Sequence, residues 1–179
     1  MKVISIGQPF AQLVVLGIKT LETRVWTPPI KLYGERIGIA STKNISPKAR
    51  AHFADETFQS YYRQFGLPER LEDMANGFLL GTVIIDSADP VLDLDEISHE
   101  EQQYGWFEVE DGKQVYMWRL REPRALPHPI PIRGAQGIYD WKGELPDGEA
   151  NDTLKAAFGT TGPVGEARPQ DIRRHLRVV

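Results

Sequence analysis

The chain has 179 residues, of which 41% are apolar, with a formal net charge of −4 and no cysteine. A length of this order favours one domain with a continuous core over two domains. The lack of cysteine excludes disulfides, a thiolate nucleophile and a cysteine-ligated metal. No apolar run approaches the roughly 20 residues that a spanning helix needs, so we expect a cytoplasmic protein without a membrane partner.

Positive charge is concentrated in the first fifty residues. Residues 1–50 contain eight Lys and Arg, whereas their only acids are Glu22 and Glu35. A basic region on an acidic protein favours selective capture of a phosphate-bearing ligand over non-specific coating of nucleic acid. A fold that spreads these charges evenly over its surface would remove this asymmetry, and the sequence alone does not decide between the two.

The first 26 residues predict a strand, a short helix and a second strand. Ile4 and Ile6 alternate with small or polar residues, which is typical of a half-buried strand. Pro9 suits the first turn of a helix, and Gly17 supplies a left-handed stop after an almost wholly apolar segment. A helix so short and so apolar is expected to be buried.

The second strand carries a row of polar side chains. If the chain is extended from Thr20 onward, strict alternation places Leu21, Thr23 and Val25 on one face. Glu22, Arg24 and Trp26 then share the opposite face. Lys19 lies just before this row, so a carboxylate, two cations and an indole are expected to meet in one cleft.

The remainder of the chain predicts more strands and two further helices. Aromatic and apolar residues from Ala49 to Phe65 recur at helical spacing, so 47–65 is predicted to form one amphipathic helix whose aromatic stripe lies in the core. A short helix is predicted at 94–103. The predicted strands are 36–41, 78–85, a hairpin of 106–109 and 115–120, an extended proline-rich segment at 123–131, and 136–141.

Two sequence patterns carry a family resemblance. The segment Ile4-Ser5-Ile6-Gly7-Gln8-Pro9-Phe10-Ala11 precedes a G-x-K-x-x-E-x-R-x-W spacing that runs from Gly17 to Trp26. Together they resemble the ASCH family, whose members are small domains of the PUA-like superfamily and are associated with RNA. The resemblance implies an α+β fold, a PUA-like small β-barrel decorated by helices, over residues 1–142. Residues 143–179 are predicted to form a partly irregular C-terminal tail in which 171–178 suits a short basic helix.

The preferred hypothesis is a domain that binds RNA or a modified nucleoside. Arg24 is suited to bidentate bonds with a phosphate or a base edge, Lys19 to neutralising a phosphate, and Trp26 to stacking on a base. Glu22 either accepts from an exocyclic amine or holds Arg24 in place. The plain alternative is that Glu22 and Arg24 only pair with each other on an exposed strand. The predicted ligand-binding residues are Gln8, Lys19, Glu22, Arg24, Trp26, Lys43 and Arg133.

A hydrolase is the main alternative. The resemblance extends to small family members that hydrolyse N4-acetylcytidine with a lysine that matches Lys19, a threonine whose position is Glu22 here, and a glutamate near Glu100 and Glu101. Because the hydroxyl is missing at Glu22, metal-independent ribonuclease activity with Lys19 as base is the more favoured of the two hydrolase activities. In either case the catalytic candidates are Lys19 and Glu22.

Other machineries have no support in the sequence. There is no phosphate loop and no dinucleotide-binding or nucleophile-elbow motif, and the four histidines lack metal-ligand spacing. We therefore expect neither a metal nor a cofactor. A protein-interaction module that acts through the 47–65 helix remains the third hypothesis.

Overall fold

The computed structural model describes residues 1–91, 97–104 and 113–146. Six strands and four short α-helices make up the described part, with three 3-10 turns between them. In chain order the elements are β1 (Lys2–Ile6), α1 (Phe10–Val15), β2 (Leu21–Arg24), β3 (Arg36–Ser41), α2 (Pro47–Phe53), α3 (Glu56–Tyr62), β4 (Phe78–Pro90), α4 (His99–Tyr104), β5 (Tyr116–Pro131) and β6 (Ile138–Asp140).

The six strands form one curled, mixed sheet in the order β2-β5-β4-β3-β1-β6. β1 runs parallel to β3, with Ile4 opposite Ile39, and each of the other neighbouring pairs is antiparallel. Within the described chain, β2 and β6 are the two edges of this ladder. The architecture confirms the predicted class, an α+β small barrel decorated by helices.

Helix α1 fills the inner face of the curled sheet. Its side chains Leu13, Val14 and Val15 are at most 1% exposed, and the helix packs against β1, β3, β4 and β5. Burial of this kind stabilises the fold by roughly 1.5–3 kcal/mol for each large apolar side chain. The expectation that so apolar a helix must be buried is therefore confirmed.

The opposite, outer face of the sheet carries a smaller apolar cluster. Val3, Ala40, Leu79 and Leu126 form its buried centre. The residues that alternate with them along the strands, such as Ile4, belong to the main inner core. Partly buried side chains such as Ile130, Tyr139 and Trp141 pack around this centre.

The prediction of one continuous helix over 47–65 is wrong. α2 ends at Phe53 and α3 begins at Glu56, because the Asp55 side chain accepts a hydrogen bond from the Phe58 amide at 2.9 Å and starts a new helix. A 3-10 turn follows at Arg63–Phe65. The aromatic stripe nevertheless lies in the core as predicted, since its rings at 53, 58, 62 and 65 are buried.

The later strands are longer than their sequence patterns indicate. β4 continues beyond residue 85 to Pro90, and the proline-rich segment 123–131 is part of the 16-residue strand β5. Prolines are tolerated there because, among the described residues, β2 pairs only with residues 116–119, and no other described strand pairs with that edge of β5.

Several predictions fall partly outside the described residues. α4 overlaps the predicted helix 94–103 and ends one residue later, at Tyr104. Residues 92–96 and the first arm of the predicted hairpin are not described. The tail is not described from residue 147 onward, so its boundary stays a prediction. In the ranges that are described, no helix is long and apolar enough to cross a membrane.

Candidate ligand-binding site

A cavity of about 470 Å³ opens where β2 approaches β1 without pairing with it. Its size lies in the usual range of small-molecule sites. Four predicted residues line this β1–β2 cavity: Gln8, Lys19, Glu22 and Arg24. The fold therefore brings together side chains that come from the start of α1, the turn after it, and β2.

Glu22 lies at the centre of a partly buried ion triad. Its Oε1 is 2.9 Å from Arg24 Nη2, and its Oε2 is 3.5 Å from Lys19 Nζ. The Lys19 side chain is only 2% exposed. Removing an ammonium from water is costly unless a counter-charge is close by, so Glu22 stabilises Lys19 in this position.

Arg24 connects the two sides of the cavity. Its Nη2 also donates to the backbone carbonyl of Ser5 on β1 at 3.0 Å, and the side chain is 27% exposed. In the part of the chain that the structure describes, its buried Nε has no hydrogen-bond partner and neither does Lys19 Nζ. The Nη2 atom is thus held by two protein oxygens, and the exposed part of the side chain is accessible to a ligand.

Gln8 shapes the cavity wall. It is 2% exposed, its Oε1 accepts from the Gln12 amide at 3.1 Å, and its Nε2 donates to the Ala75 carbonyl at 3.1 Å. Both ends of the side-chain amide are therefore engaged inside the protein. Gln8 joins α1 to the chain before β4, and this fixes the floor on which a ligand would rest.

The other three predicted site residues lie outside this lining. Trp26 packs edge-on against Trp118, with ring centroids 4.8 Å apart, and Trp118 is fully buried. Lys43 is exposed beside Gly77, and Arg133 is an exposed residue of the loop before β6. Trp118 is thus a core residue.

Thr23 lines the cavity together with Glu22 and Arg24, although strict alternation places it on the opposite face. The reason is that β2 is an edge strand whose unpaired backbone edge faces β1, so three consecutive residues contribute. Thr20 is directed elsewhere: its amide and its hydroxyl both donate to Glu101 Oε1 at 2.5 Å.

Sequence reasoning missed the segment that closes the cavity. Its members follow β3 and include Thr42, Asn44, Ser46 and Lys48. The Thr42 amide donates to the Ile6 carbonyl at 3.0 Å, which continues the β1–β3 pairing and holds this segment over the opening. The available signal was a short polar run directly after a buried strand, a common place for binding residues.

The fold and the cavity define a small α+β barrel with a charged cleft at its opening. The family model of the ASCH domain matches residues 4–126, and the chain belongs to this family. The family has a PUA-like fold and has been proposed to bind RNA.

Solved structures give the same architecture. The chain is similar to the crystal structure of ASCH from Zymomonas mobilis, with a TM-score of 0.50 and 18% identity over 79% of this chain and 87% of that one. Two single-residue variants of that protein match with TM-scores of 0.48 and 0.46, each at 16% identity and over 79% of this chain. They are covered over 87% and 89% of their lengths. Among curated proteins, no sequence matches the chain.

Proposed function

We propose that the chain binds RNA or a modified nucleoside in the β1–β2 cavity. The observation that carries this proposal is the charge of the cavity on an acidic chain. Among the described residues that line it, Lys19, Arg24 and Lys48 are cationic, and Glu22 is the single carboxylate. An excess of positive charge in a concave site raises the local concentration of a phosphate-bearing ligand, and the RNA association of the ASCH family supports the same ligand class.

Arg24 is the principal ligand contact in this proposal. Glu22 has both oxygens close to cations, so we assign it to holding Arg24 rather than to accepting from a base amine. A guanidinium whose Nη2 is already held by Glu22 and the Ser5 carbonyl loses little further side-chain entropy on binding, which favours affinity. The proposal assigns no stacking role to Trp26, because this residue lies outside the cavity lining and its ring packs against Trp118.

Substitution of Arg24 tests the proposal. We expect Arg24→Ala to weaken binding of single-stranded RNA or of the recognised nucleoside by about 1–3 kcal/mol, roughly 5- to 150-fold in Kd. Arg24→Lys should keep the charge and recover only part of this loss. Binding is measured by fluorescence anisotropy or calorimetry.

The matched control is Arg70→Ala, since the Arg70 side chain is 70% exposed and its nearest carboxylates are 4.0 Å away. This variant should bind as the natural chain does. Unchanged affinity in a folded Arg24→Ala protein would refute the assignment of the cavity as the ligand site.

A hydrolase is the second candidate, because Lys19 and the Thr23 hydroxyl line the same cavity. A lysine acts as a base only after losing its proton, so this candidate requires a neutral Lys19 inside the cavity. Incubation with single-stranded RNA and with N4-acetylcytidine distinguishes the candidates. An enzyme forms product, and Lys19→Ala abolishes turnover while binding persists; a binding domain forms none, and Lys19→Ala lowers its affinity.

A further inference from the structure

A second concentration of positive charge lies on the outer face of the sheet, on strands β3 and β5. Arg36 projects from this face, because its neighbour Ile37 belongs to the inner core, and its Nη1 donates to Thr82 Oγ1 at 3.2 Å. Arg124 is opposite Thr82 in the β4–β5 register. Arg121 lies opposite Ile84, just after the register shift that follows Thr82. We call Arg36, Arg121 and Arg124 the arginine cluster.

A β-bulge at Glu122 gathers this cluster. The pairing steps from Thr82 opposite Arg124 to Ile84 opposite Arg121, so two β5 residues face one β4 residue. Glu122 adopts a positive φ of 47°, a conformation that a residue with a side chain rarely takes. Such a conformation persists only when its surroundings compensate for it.

The arginines supply that compensation. Arg36 Nη1 donates to the Glu122 carbonyl at 2.8 Å and Arg36 Nη2 to its Oε2 at 2.8 Å. Arg121 Nη1 donates to Glu122 Oε1 at 2.7 Å, while Arg121 Nε donates to Asp86 Oδ1 at 2.9 Å. The Glu122 carboxylate is therefore an internal anion placed between two guanidinium groups, and its side chain is 51% exposed.

The cluster keeps an excess of positive charge. Glu122 and Asp86 face three guanidinium groups, and Arg124 forms no ion pair within the described ranges. Burial and the neighbouring Arg124 lower the pKa of the Arg36 guanidinium from its ordinary value. Like charges are thus held close together on a chain whose net charge is −4, and an incoming anion would relieve their repulsion.

We propose that the arginine cluster binds a backbone phosphate of an RNA strand that also places a nucleotide in the β1–β2 cavity. The inference rests on the proposed function and extends it, because it makes the ligand an RNA strand rather than a free nucleoside. Guanidinium groups bind phosphate oxygens in a bidentate manner, and Glu122 occupies the same donors when RNA is absent. RNA is favoured over an anionic lipid surface because the charged cavity on the same chain fits a nucleotide.

The test uses the full chain and three kinds of probe: a single-stranded RNA of about ten mixed nucleotides, the four nucleoside monophosphates, and phosphatidylserine vesicles. Arg124→Gln should weaken binding of the oligonucleotide about 5- to 10-fold and reduce the slope of log K against log salt by about 0.7–1. It should leave binding of the monophosphates within about twofold. Glu122→Gln removes the internal anion and should tighten oligonucleotide binding. Arg70→Gln is the matched control, and thermal unfolding checks that each variant is folded.

The outcomes distinguish the proposal for the arginine cluster from the proposal for the β1–β2 cavity. If a monophosphate binds but folded Arg124→Gln leaves oligonucleotide affinity and its salt slope unchanged, the cluster proposal is overturned. It is also overturned if Arg124→Gln weakens monophosphates and oligonucleotide equally, or lowers binding only to phosphatidylserine vesicles. Oligonucleotide binding that depends on Arg124 without any monophosphate binding supports the cluster and refutes the cavity. No binding of either probe refutes both.

Discussion

At the scale of single residues, Glu22 carries the most information. The family members that hydrolyse an acetylated nucleoside have a threonine at the matching position, and this chain has a carboxylate that contacts both Lys19 and Arg24. The spacing in the sequence was sufficient to predict that these three side chains meet. The different roles assigned to them were not predictable, because these roles depend on burial: the Lys19 side chain is buried and the Arg24 side chain is partly exposed.

Neutralising Glu22 should therefore be costly. Glu22→Gln leaves the buried Lys19 ammonium without its counter-charge, and we expect the free energy of unfolding to fall by about 3 kcal/mol. Urea denaturation measures this change. Glu72→Gln is the control, because Glu72 is an exposed partner of Arg50 and its loss should leave stability nearly unchanged. Equal stability of the two variants would contradict the structural role assigned to Glu22.

At the scale of elements, periodicity predicted which residues are buried better than where helices end. The apolar and aromatic spacing of 47–65 is continuous through Asp55, so the pattern predicted one helix. In the structure, the Phe58 amide donates a hydrogen bond to the Asp55 side chain, and a second helix begins at Glu56. Asp55, directly before Glu56, is a recognisable N-cap signal. Hydrophobic periodicity alone does not take this signal into account, so the boundary between the two helices was missed.

Removing this cap tests the division into two helices. Asp55→Ala should lower the free energy of unfolding by about 1 kcal/mol, because the first turn of α3 loses the acceptor for the Phe58 amide. Chemical denaturation followed by circular dichroism measures the change. Glu69→Ala, at an exposed position outside the helices, is the control. A loss no greater than that of the control would show that Asp55 does not define the start of α3.

Strand β2 shows a second limit at this scale. Alternation correctly predicted that Leu21 is buried and that Glu22 and Arg24 share a site, but Val25 is 57% exposed and Thr23 lines the cavity. The strand ends at Arg24 and has one unpaired edge. Side chains alternate in any strand, but Val25 lies beyond the end of β2, and side chains of both faces can border a cavity at an unpaired edge. The sequence does not reveal that this strand lies at an edge.

At the scale of the whole molecule, the class of fold followed from the motifs and the strand order did not. The resemblance over the first 26 residues was enough to predict an α+β small barrel. The placement of β1 between β3 and β6 depends on pairings between residues far apart in sequence, such as Lys2 with Asp140. No local pattern encodes such pairings, so the polar run after β3 suggested binding residues but not which cavity they line.

The strand order predicts which backbone amides exchange slowly with solvent and which exchange fast. β3 is paired on both sides, and Ile37 and Ile39 are at most 1% exposed, so its amides should exchange with solvent only on global unfolding. The amides of β2 and β6, each paired on one side, should exchange faster. Native-state hydrogen exchange followed by NMR measures both in one sample. Exchange from β2 as slow as from β3 would contradict the edge position of β2.

The bond between Arg24 and the Ser5 carbonyl has an evolutionary consequence. The side chain proposed to meet the ligand is also the one that joins β2 to β1 across the opening. A substitution that alters ligand preference at Arg24 also loosens this connection, so selection can change this position only within a narrow stability margin. Thr42 and Asn44 line the same cavity from the loop after β3, and they are not part of the Arg24–Ser5 bond that joins β2 to β1. Relatives with new ligand preferences should consequently have diverged along that loop first, while keeping the arginine.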